Sequence, residues 1–411
     1  MVTLSLGLIG LGGVGSAVVE ACGRGERAMA QRGYRVSLDA CLVRDRRRPR
    51  PVHPPRLTDD PERFFSRRYN VVVETTGGVE PARSLALRAM RNGAAFVTAN
   101  KALVAAAGGD LRQAARAAGV SLRIDACALA GVPFIGALER RPLFGGAARF
   151  QGLLNGTSNF ILTRMAKDGL SADDALARAQ ALGYAEPDPS RDLNGLDAAD
   201  KLVVLLQACG IAGATPERFA RKDVRLVRRV DIEAATSLGG AIKAVAAAER
   251  RGSTVSGFVG PTFVPVLNRL AHVHDELNAI AIDGPFVREL FFCGVGAGPA
   301  ATAATLLDDA IEAASGPDGA GRAEVGLLPA RLVPPEPSWF ARLEFDRGRP
   351  GDSALTRALA TRGLPVRRGI RADGSWHGLV GPCDEARAIA ALTAVAAVHG
   401  ATWNALYALE G

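Results

Sequence analysis

Lysine is the residue this chain most conspicuously lacks. Of its 50 Lys and Arg residues only Lys101, Lys167, Lys201, Lys222 and Lys243 are lysine, so arginine fills nearly every role open to a simple cation. A lysine kept in such a chain is expected where arginine fails, in proton exchange or where a compact ammonium must fit a buried site. Cysteine is sparse as well. The six thiols (Cys22, Cys41, Cys127, Cys209, Cys293 and Cys383) are far apart and form no CxxC pair, which argues against disulfides and against a thiolate zinc site. The five histidines are scattered. Their one close pair, His272 and His274 in LAHVHDEL, is expected on one face of a strand or turn and not around a metal. No apolar run reaches roughly 18 residues without glycine or charge, so no membrane span is expected. The apolar start MVTLSLGLIGLGGVG has no basic leader, and the cytoplasm is the expected location. The net charge of +8 is spread along the chain without an aromatic-rich binding module, so a nucleic-acid partner is not expected; RDRRRPR, Arg44 to Arg50, is the one dense basic run.

What is present is a long chain, 411 residues and 48% hydrophobic, enough for two or three domains with their own cores. From Leu4 to about Pro133 short apolar runs (LSLGLIG, VSLDACLV, NVVVETTGG, GAAFVTAN, SLRIDACALAG) alternate with helical patterns such as PARSLALRAMRNG and GDLRQAARAAG. That alternation predicts an α/β domain with a parallel sheet and crossover helices. Gly10, Gly12 and Gly15 form GxGxxG directly after the first strand and open a helix, with Leu11, Gly13 and Val14 between them. Glycines let the backbone approach a pyrophosphate and the helix start offers free amides, so residues 1–133 read as a Rossmann dinucleotide-binding domain. The second strand ends in Arg44, where an acidic residue would hold the ribose hydroxyls of NAD. Arginine there favours the 2′-phosphate of NADP, although Asp45 follows at once.

Residues 134–330 read as a second, α+β domain, with about 295–315 packing back on the first, and with longer helices, among them SADDALARAQALG, GLDAADKLVVLLQACG and DIEAATSLGGAIKAVAAAERRG, and strands such as RELFFCGVG. PARLVPPEPSWF, with four prolines, reads as a linker. Residues 338–411 then run strand, helix, two strands, helix, strand, a ferredoxin-like βαββαβ module. It holds no acid/base cluster and is expected to be dispensable for turnover.

The stretch AEPDPSRDLNGLDAADK gathers Glu186, Asp188, Asp192, Asp197 and Asp200 around Lys201. In a helix opening near Asn194, Asp197 and Lys201 stand four apart on one face, and Pro187 and Pro189 stiffen the acidic loop before it. Carboxylates beside a half-buried ammonium suit an amino-acid substrate: they neutralise its α-ammonium while the lysine faces the reacting oxygen.

With GLGGVG, VVVETTGG, VTANKALV, LLNGTSNFIL and GVGAGPAAT in the same order, GYAEPDPSRDLNGLDAADK resembles the signature of the homoserine dehydrogenases along nearly the whole chain, and the terminal module resembles their ACT regulatory domain. The resemblance implies reversible reduction of L-aspartate 4-semialdehyde to L-homoserine by NAD(P)H. It implies Lys201 as the acid/base, Asp197 as its orienting partner, Glu186 and Asp192 on the substrate ammonium, and Gly183 lining the pocket. Lys101 would lie beside nicotinamide and substrate, and Thr76 and Gly298 would touch the cofactor. A monovalent cation, usually sodium, would sit among Asp125 and the carbonyls of Ala128, Ala130 and Val132, although the family generally carries Glu where this chain has Asp125. The family expectation is a homodimer, or a homotetramer built through ACT pairing, with threonine as a possible effector. The tail departs from the ACT pattern, with DRGRPGDS at its first turn and GPCDE after its third strand. Two other readings are a cofactor-binding sensor without turnover and a related amino-acid dehydrogenase such as an aspartate dehydrogenase; intact Lys101, Asp197 and Lys201 and the long acidic signature argue against them.

Overall fold

The computed structural model describes residues 1–139, 148–314, 328–345 and 350–409. The chain forms two compact units that interleave along the sequence. The first comprises Met1–Gly146, Val203–Ala212 and Gly294–Pro329, and the second Ala147–Leu202, Gly213–Cys293 and Ala330–Gly411.

In the first unit β1 (Val2–Ile9), β2 (Tyr34–Leu42), β3 (Leu57–Thr58), β4 (Val71–Glu74), β5 (Ala95–Thr98) and β6 (Leu122–Arg123) make a parallel sheet in the order β3-β2-β1-β4-β5-β6. VVVE of β4 and AFVT of β5 are buried at every residue, as strands covered on both faces require. The crossovers carry α1 (Gly13–Arg24), α2 (Glu26–Gln31), α3 (Pro61–Phe65), α4 (Ala82–Arg91) and α5 (Lys101–Ala118). Strand order reverses at β1, which has β2 on one side and β4 on the other, and the crevice at the carboxyl ends of such strands is where these sheets take ligands. Leu6, Leu8, Val71, Val73 and Val97 form a core with Ala303 and Leu306 from the later helix Pro299–Ala314. The strand expected at SLRIDACALAG stops at Arg123, and Asp125–Cys127 turn as a 3-10 helix. The cause is Asp125, whose two carboxylate oxygens accept the amides of Ile135 and Gly136, each at 2.8 Å, at the start of α6 (Ile135–Glu139).

In the second unit β7 (Arg149–Leu153) leads into α7 (Gly156–Asp168), α8 (Ala172–Ala181), the short α9 (Ser190–Leu193) and α10 (Leu196–Ala208), whose last turns belong to the first unit, as does β8 (Ile211–Ala212). β9 (Ala220–Arg221) and α11 (Arg229–Ser237) precede β10 (Gly240–Arg251) and β11 (Thr254–Pro265). DIEAATSLGGAIKAVAAAERRG is therefore not one helix. Gly239, at φ +79°, ends α11, and a Cβ on Gly240 would stand 2.5 Å from the Phe263 ring, so the chain enters the sheet there. The alanines of β10 have helical propensity, yet they are the side chains that fit a strand walled by β7 and β11, and packing overrides propensity.

β12 (Leu277–Gly284) and β13 (Val287–Val295) continue the sheet at one edge. Beyond α12 (Pro299–Ala314) and β14 (Leu328–Pro329) come β15 (Arg331–Val333), β16 (Ser338–Phe345), α13 (Asp352–Ala360), β17 (Val366–Ala372), β18 (Ser375–Val380), α14 (Glu385–His399) and β19 (Ala401–Ala408). The strand order is β13-β12-β7-β10-β11-β19-β16-β18-β17, with β9 and β15 also beside β11. Two features differ from the sequence reading. The proline-rich linker places Arg331–Val333 against Thr254–Ser256 of β11, and Trp339, Leu343, Leu355 and Leu392 of the tail share one core with Leu153, Val245, Phe258 and Val264. Of the turn DRGRPGDS, residues 346–349 lie outside the described residues.

Candidate active site

In the second unit the acidic stretch separates into distinct roles. Asp188 accepts the Ser190 hydroxyl, and with it the Ser190 amide at 3.1 Å, which together hold this exposed carboxyl below its ordinary range, and Asp200 pairs with Arg191 at 2.6 Å. Asp192 and Asp197 converge instead. Asn155 Nδ2 donates to Asp192 Oδ1 at 2.7 Å and to Asp197 Oδ2 at 2.9 Å, while its Oδ1 caps α7 by accepting the Ser158 amide at 2.8 Å. Lys201 is 8% exposed; its Nζ lies 3.0 Å from Asp197 Oδ2 and donates to the Leu154 carbonyl at 2.7 Å. Gly195 turns the chain so that α10 opens at Leu196, close to the expected start, and puts Asp197 and Lys201 on the face toward β7 and α7. Burial pushes Asp192 above the usual aspartate range, with the Asn155 hydrogen bond opposing, the Asp197 charge adding to the shift and the Lys201 ammonium opposing it.

Glu186 and Gly183 stand apart from this group. Both are exposed in the loop after α8, and the Glu186 carboxylate has no partner among the described residues. That loop is tied to the cluster by Thr157, whose hydroxyl donates to the Tyr184 carbonyl at 2.7 Å. Sequence reasoning missed Asn155. The Asn before Gly-Thr-Ser signals a helix cap, but nothing in the sequence shows that its amide also bridges two carboxylates from a distant loop and helix.

In the first unit a cavity of ≈ 780 Å³ opens at the carboxyl ends of β1 and β4, walled by Gly10, Leu11, Gly12, Arg44, Asp45 and Thr76 among others. Gly13, Val14 and Gly15 form the first turn of α1. A Cβ at Gly15 would stand 2.3 Å from the Gly10 carbonyl, so only glycine lets the helix start fold onto the loop and aim its amides outward. These features fit a dinucleotide. Asp45 is turned into its own loop, accepting the Arg47 amide at 2.8 Å, and Arg50 pins that loop through the carbonyls of Asp45 and Arg48, each at 2.7 Å. Gly298 precedes Pro299, whose ring borders a smaller hollow with Gly12 and Gly13. Lys101 is the first residue of α5, half-buried, and is not a wall of the larger cavity.

The groups expected around a monovalent cation hold contacts within the protein. Asp125 has both oxygens on the amides of α6, Ala130 O accepts the Thr305 hydroxyl, and Val132 O accepts the Phe134 amide at 2.8 Å. Among the described residues no group of three or more His, Cys, Asp or Glu is placed to hold a metal, and no helix is long and apolar enough to cross a membrane. His272 Nε2 meets the Val266 carbonyl at 2.8 Å and His274 Nδ1 stands 3.5 Å from Lys243 Nζ.

The chain is similar to known proteins along most of its length. Residues 133–311 match the homoserine dehydrogenase family and residues 10–125 its NAD binding domain. Homoserine dehydrogenase of Corynebacterium glutamicum is 37% identical over 328 residues, 78% of this chain and 74% of that one. That of Synechocystis is 39% identical over 324 residues, 75% of this chain and 73% of its own. The crystal structure of a homoserine dehydrogenase from Thiobacillus denitrificans superposes with a TM-score of 0.87 at 30% identity, covering 100% of this chain and 99% of that one. The chain, an oxidoreductase with an NAD-binding domain and a catalytic domain, belongs to the homoserine dehydrogenase family.

Proposed function

We propose that the enzyme interconverts L-aspartate 4-semialdehyde and L-homoserine with NADP preferred over NAD, and that Lys201 carries the proton. When bound in the first unit, the reduced cofactor supplies the hydride that the aldehyde carbon accepts. The residues do the rest. As the carbonyl oxygen gains charge, the Lys201 ammonium stabilises it and passes it one proton, leaving a neutral amine; in the oxidation of homoserine that amine takes the hydroxyl proton back. Asp197 and the Leu154 carbonyl orient Nζ. Asp192 and, from the loop after α8, Glu186 neutralise the substrate ammonium, Gly183 of that loop lines the pocket, and Lys101 acts at the nicotinamide.

One observation carries this reading. A lysine ammonium has three protons, and among the described residues Lys201 has two acceptors, Leu154 O and Asp197, so one proton remains for a reacting oxygen at a buried position. NADP preference is supported by Arg44 on the cavity wall, which has no carboxylate at ion-pair distance among the described residues, and by Asp45 being held by its own loop. No step uses a cation. The same proposal includes an ACT-like role for the βαββαβ tail in assembly as a homodimer or homotetramer, threonine as its effector, and a cytoplasmic location. The test is initial rates with L-homoserine or L-aspartate and either cofactor. Turnover of L-homoserine, faster at limiting NADP, is expected. Oxidation of L-aspartate instead would mark an aspartate dehydrogenase, and cofactor binding without turnover a sensor.

A further inference from the structure

At the carboxyl end of β4, after three buried valines, stands a carboxylate with 0% exposure, Glu74. Burying a carboxylate is costly unless donors replace its water, and a fourth apolar residue would continue the strand without that cost. The donors are specific. The Thr76 amide donates to Glu74 Oε1 at 2.6 Å and the Thr76 hydroxyl donates to the same oxygen, while the Thr98 hydroxyl donates to Oε2 at 2.6 Å. Thr98 Oγ1 in turn accepts the Asn100 amide at 2.9 Å. Asn100 caps α5, accepting the Leu103 amide at 3.1 Å, and its Nδ2 donates to the Gly78 carbonyl at 2.7 Å. Cys127 closes the group from behind, donating to the Thr98 carbonyl at 3.1 Å. The loop that holds Thr76 and Gly77 on the cofactor cavity is thus joined twice to the turn that starts the Lys101 helix, once through Glu74 and once through Asn100.

We infer that Glu74 is a positioning residue, tying the cavity-facing Thr76 to the helix start that presents Lys101. The inference rests on the roles proposed above for Thr76 and Lys101. Glu74 is not itself a wall of the cavity, so it acts through its neighbours. The chemistry makes the tie directional. A carboxylate only accepts, and Thr98 has one hydroxyl proton, which it gives to Glu74 while its lone pair serves Asn100. In Glu74→Gln the amide oxygen keeps both Thr76 bonds, but the amide nitrogen faces Thr98 as a donor, so the Thr98 proton loses its acceptor and the Lys101 arm loosens. Thr98→Val cuts the same arm from the other side, and Thr98→Ser keeps it.

The test compares kcat, KM for homoserine, cofactor affinity by fluorescence, and melting temperature in the full chain. Glu74→Gln and Thr98→Val are expected to lower kcat about 10- to 100-fold, the scale set by small misplacement of reacting groups. KM for homoserine should hold, cofactor affinity should change less than kcat, and Thr98→Ser should restore turnover. A purely structural Glu74 would lower the melting temperature while the folded enzyme keeps its kcat, which overturns the inference; so does a Thr98→Ser variant as slow as Thr98→Val. Lys101→Met is measured alongside. If it loses turnover while Glu74→Gln does not, the inference alone fails, and if it turns over normally, the proposed role of Lys101 falls and the inference with it.

Discussion

Replacing Lys201 with arginine preserves its charge and removes nearly everything else the site uses. The ammonium sits between Leu154 O at 2.7 Å and Asp197 Oδ2 at 3.0 Å in a space that leaves it 8% exposed. A guanidinium is planar and larger, so it must displace one of these partners, at an overpacking cost of about 1–3 kcal/mol. It also stays protonated at any pH the protein tolerates, so it cannot accept the hydroxyl proton in homoserine oxidation. Loss of general acid/base action accounts for roughly 10²–10⁴ in turnover, equivalent to about 3–5 kcal/mol of barrier. The assay is homoserine oxidation at saturating cofactor across pH, with cofactor affinity and the thermal melt as controls, because those report folding and the first unit separately. Lys201→Arg should lose turnover at every pH while cofactor affinity holds. Asp197→Asn should lower turnover less, since Leu154 O still fixes the amine. Near-normal turnover and an unchanged pH profile in Lys201→Arg would refute the assignment and move the proton to another group, Lys101 first.

Arg44→Asp should raise KM for NADP far more than for NAD, by the roughly 1.5–3 kcal/mol of a charge-assisted phosphate contact; an equal rise for both cofactors would show that Arg44 does not read the phosphate. Because burial raises Asp192 above the ordinary aspartate range, acidification should protonate it early, so KM for homoserine should begin to rise at a higher pH than ordinary aspartate titration allows. Asp192→Asn should have a high KM throughout and lack that onset, and an unchanged pH profile would separate Asp192 from substrate binding. Turnover should persist when sodium is replaced by a bulky organic cation at constant ionic strength, since Asp125 is held by α6; strict sodium dependence would contradict this. Burial, with Lys167 nearby and Asp275 opposing, lowers Lys243 to about 8 from 10.5. The folded state then prefers the neutral amine, so charged Lys243 costs stability below pH 8, and that cost fades as pH rises toward 10.5. Lys243→Met should therefore stabilise by about 1–3 kcal/mol at pH 7 and by little near pH 10 in denaturant unfolding; equal gains at both pH values would refute the linkage.

The parallel sheet and its glycine loop were legible because both are local. Runs such as VVVE announce two-sided burial, and Gly10 to Gly15 announce a close backbone approach within six residues. The Asp197–Lys201 pair was legible for the same reason, one helical turn on one face. What sequence could not supply was contact across the chain. The alanines of β10 have the composition of a helix and become a strand only because β7 and β11 close on them. The tail has no catalytic residue and so reads as separable, yet Trp339 and Leu343 pack with Val245 and Phe258, and cutting before them would expose that core. Asn155 looks like a cap; its bridging of Asp192 and Asp197 depends on the distance between β7 and α10, which composition does not encode.

Lysine scarcity is the instructive case, because three of the lysines sit where the rule expects them while Lys167 is exposed, and the rule's meaning was broader than catalysis. Lys201 and Lys243 are both buried and both donate to a main-chain carbonyl, Leu154 O and Val273 O, where a compact ammonium fits and a guanidinium does not. Lys222 lies 5.2 Å from the Trp339 ring and 5.5 Å from the Tyr407 ring while pairing with Glu385 at 2.8 Å, again a small cation in a tight place. Confinement is what these three share. What distinguishes Lys201 among confined lysines is its electrostatic surroundings: a carboxylate at 3.0 Å, and a second that Asn155 holds beside the first. Lys243 has a carbonyl and a histidine and no carboxylate at ion-pair distance among the described residues, so its charge is opposed where that of Lys201 is supported. A proton donor to a developing alkoxide needs its charge supported and its position fixed, and of these two buried ammoniums, each held by a main-chain carbonyl, only Lys201 has a carboxylate at ion-pair distance among the described residues.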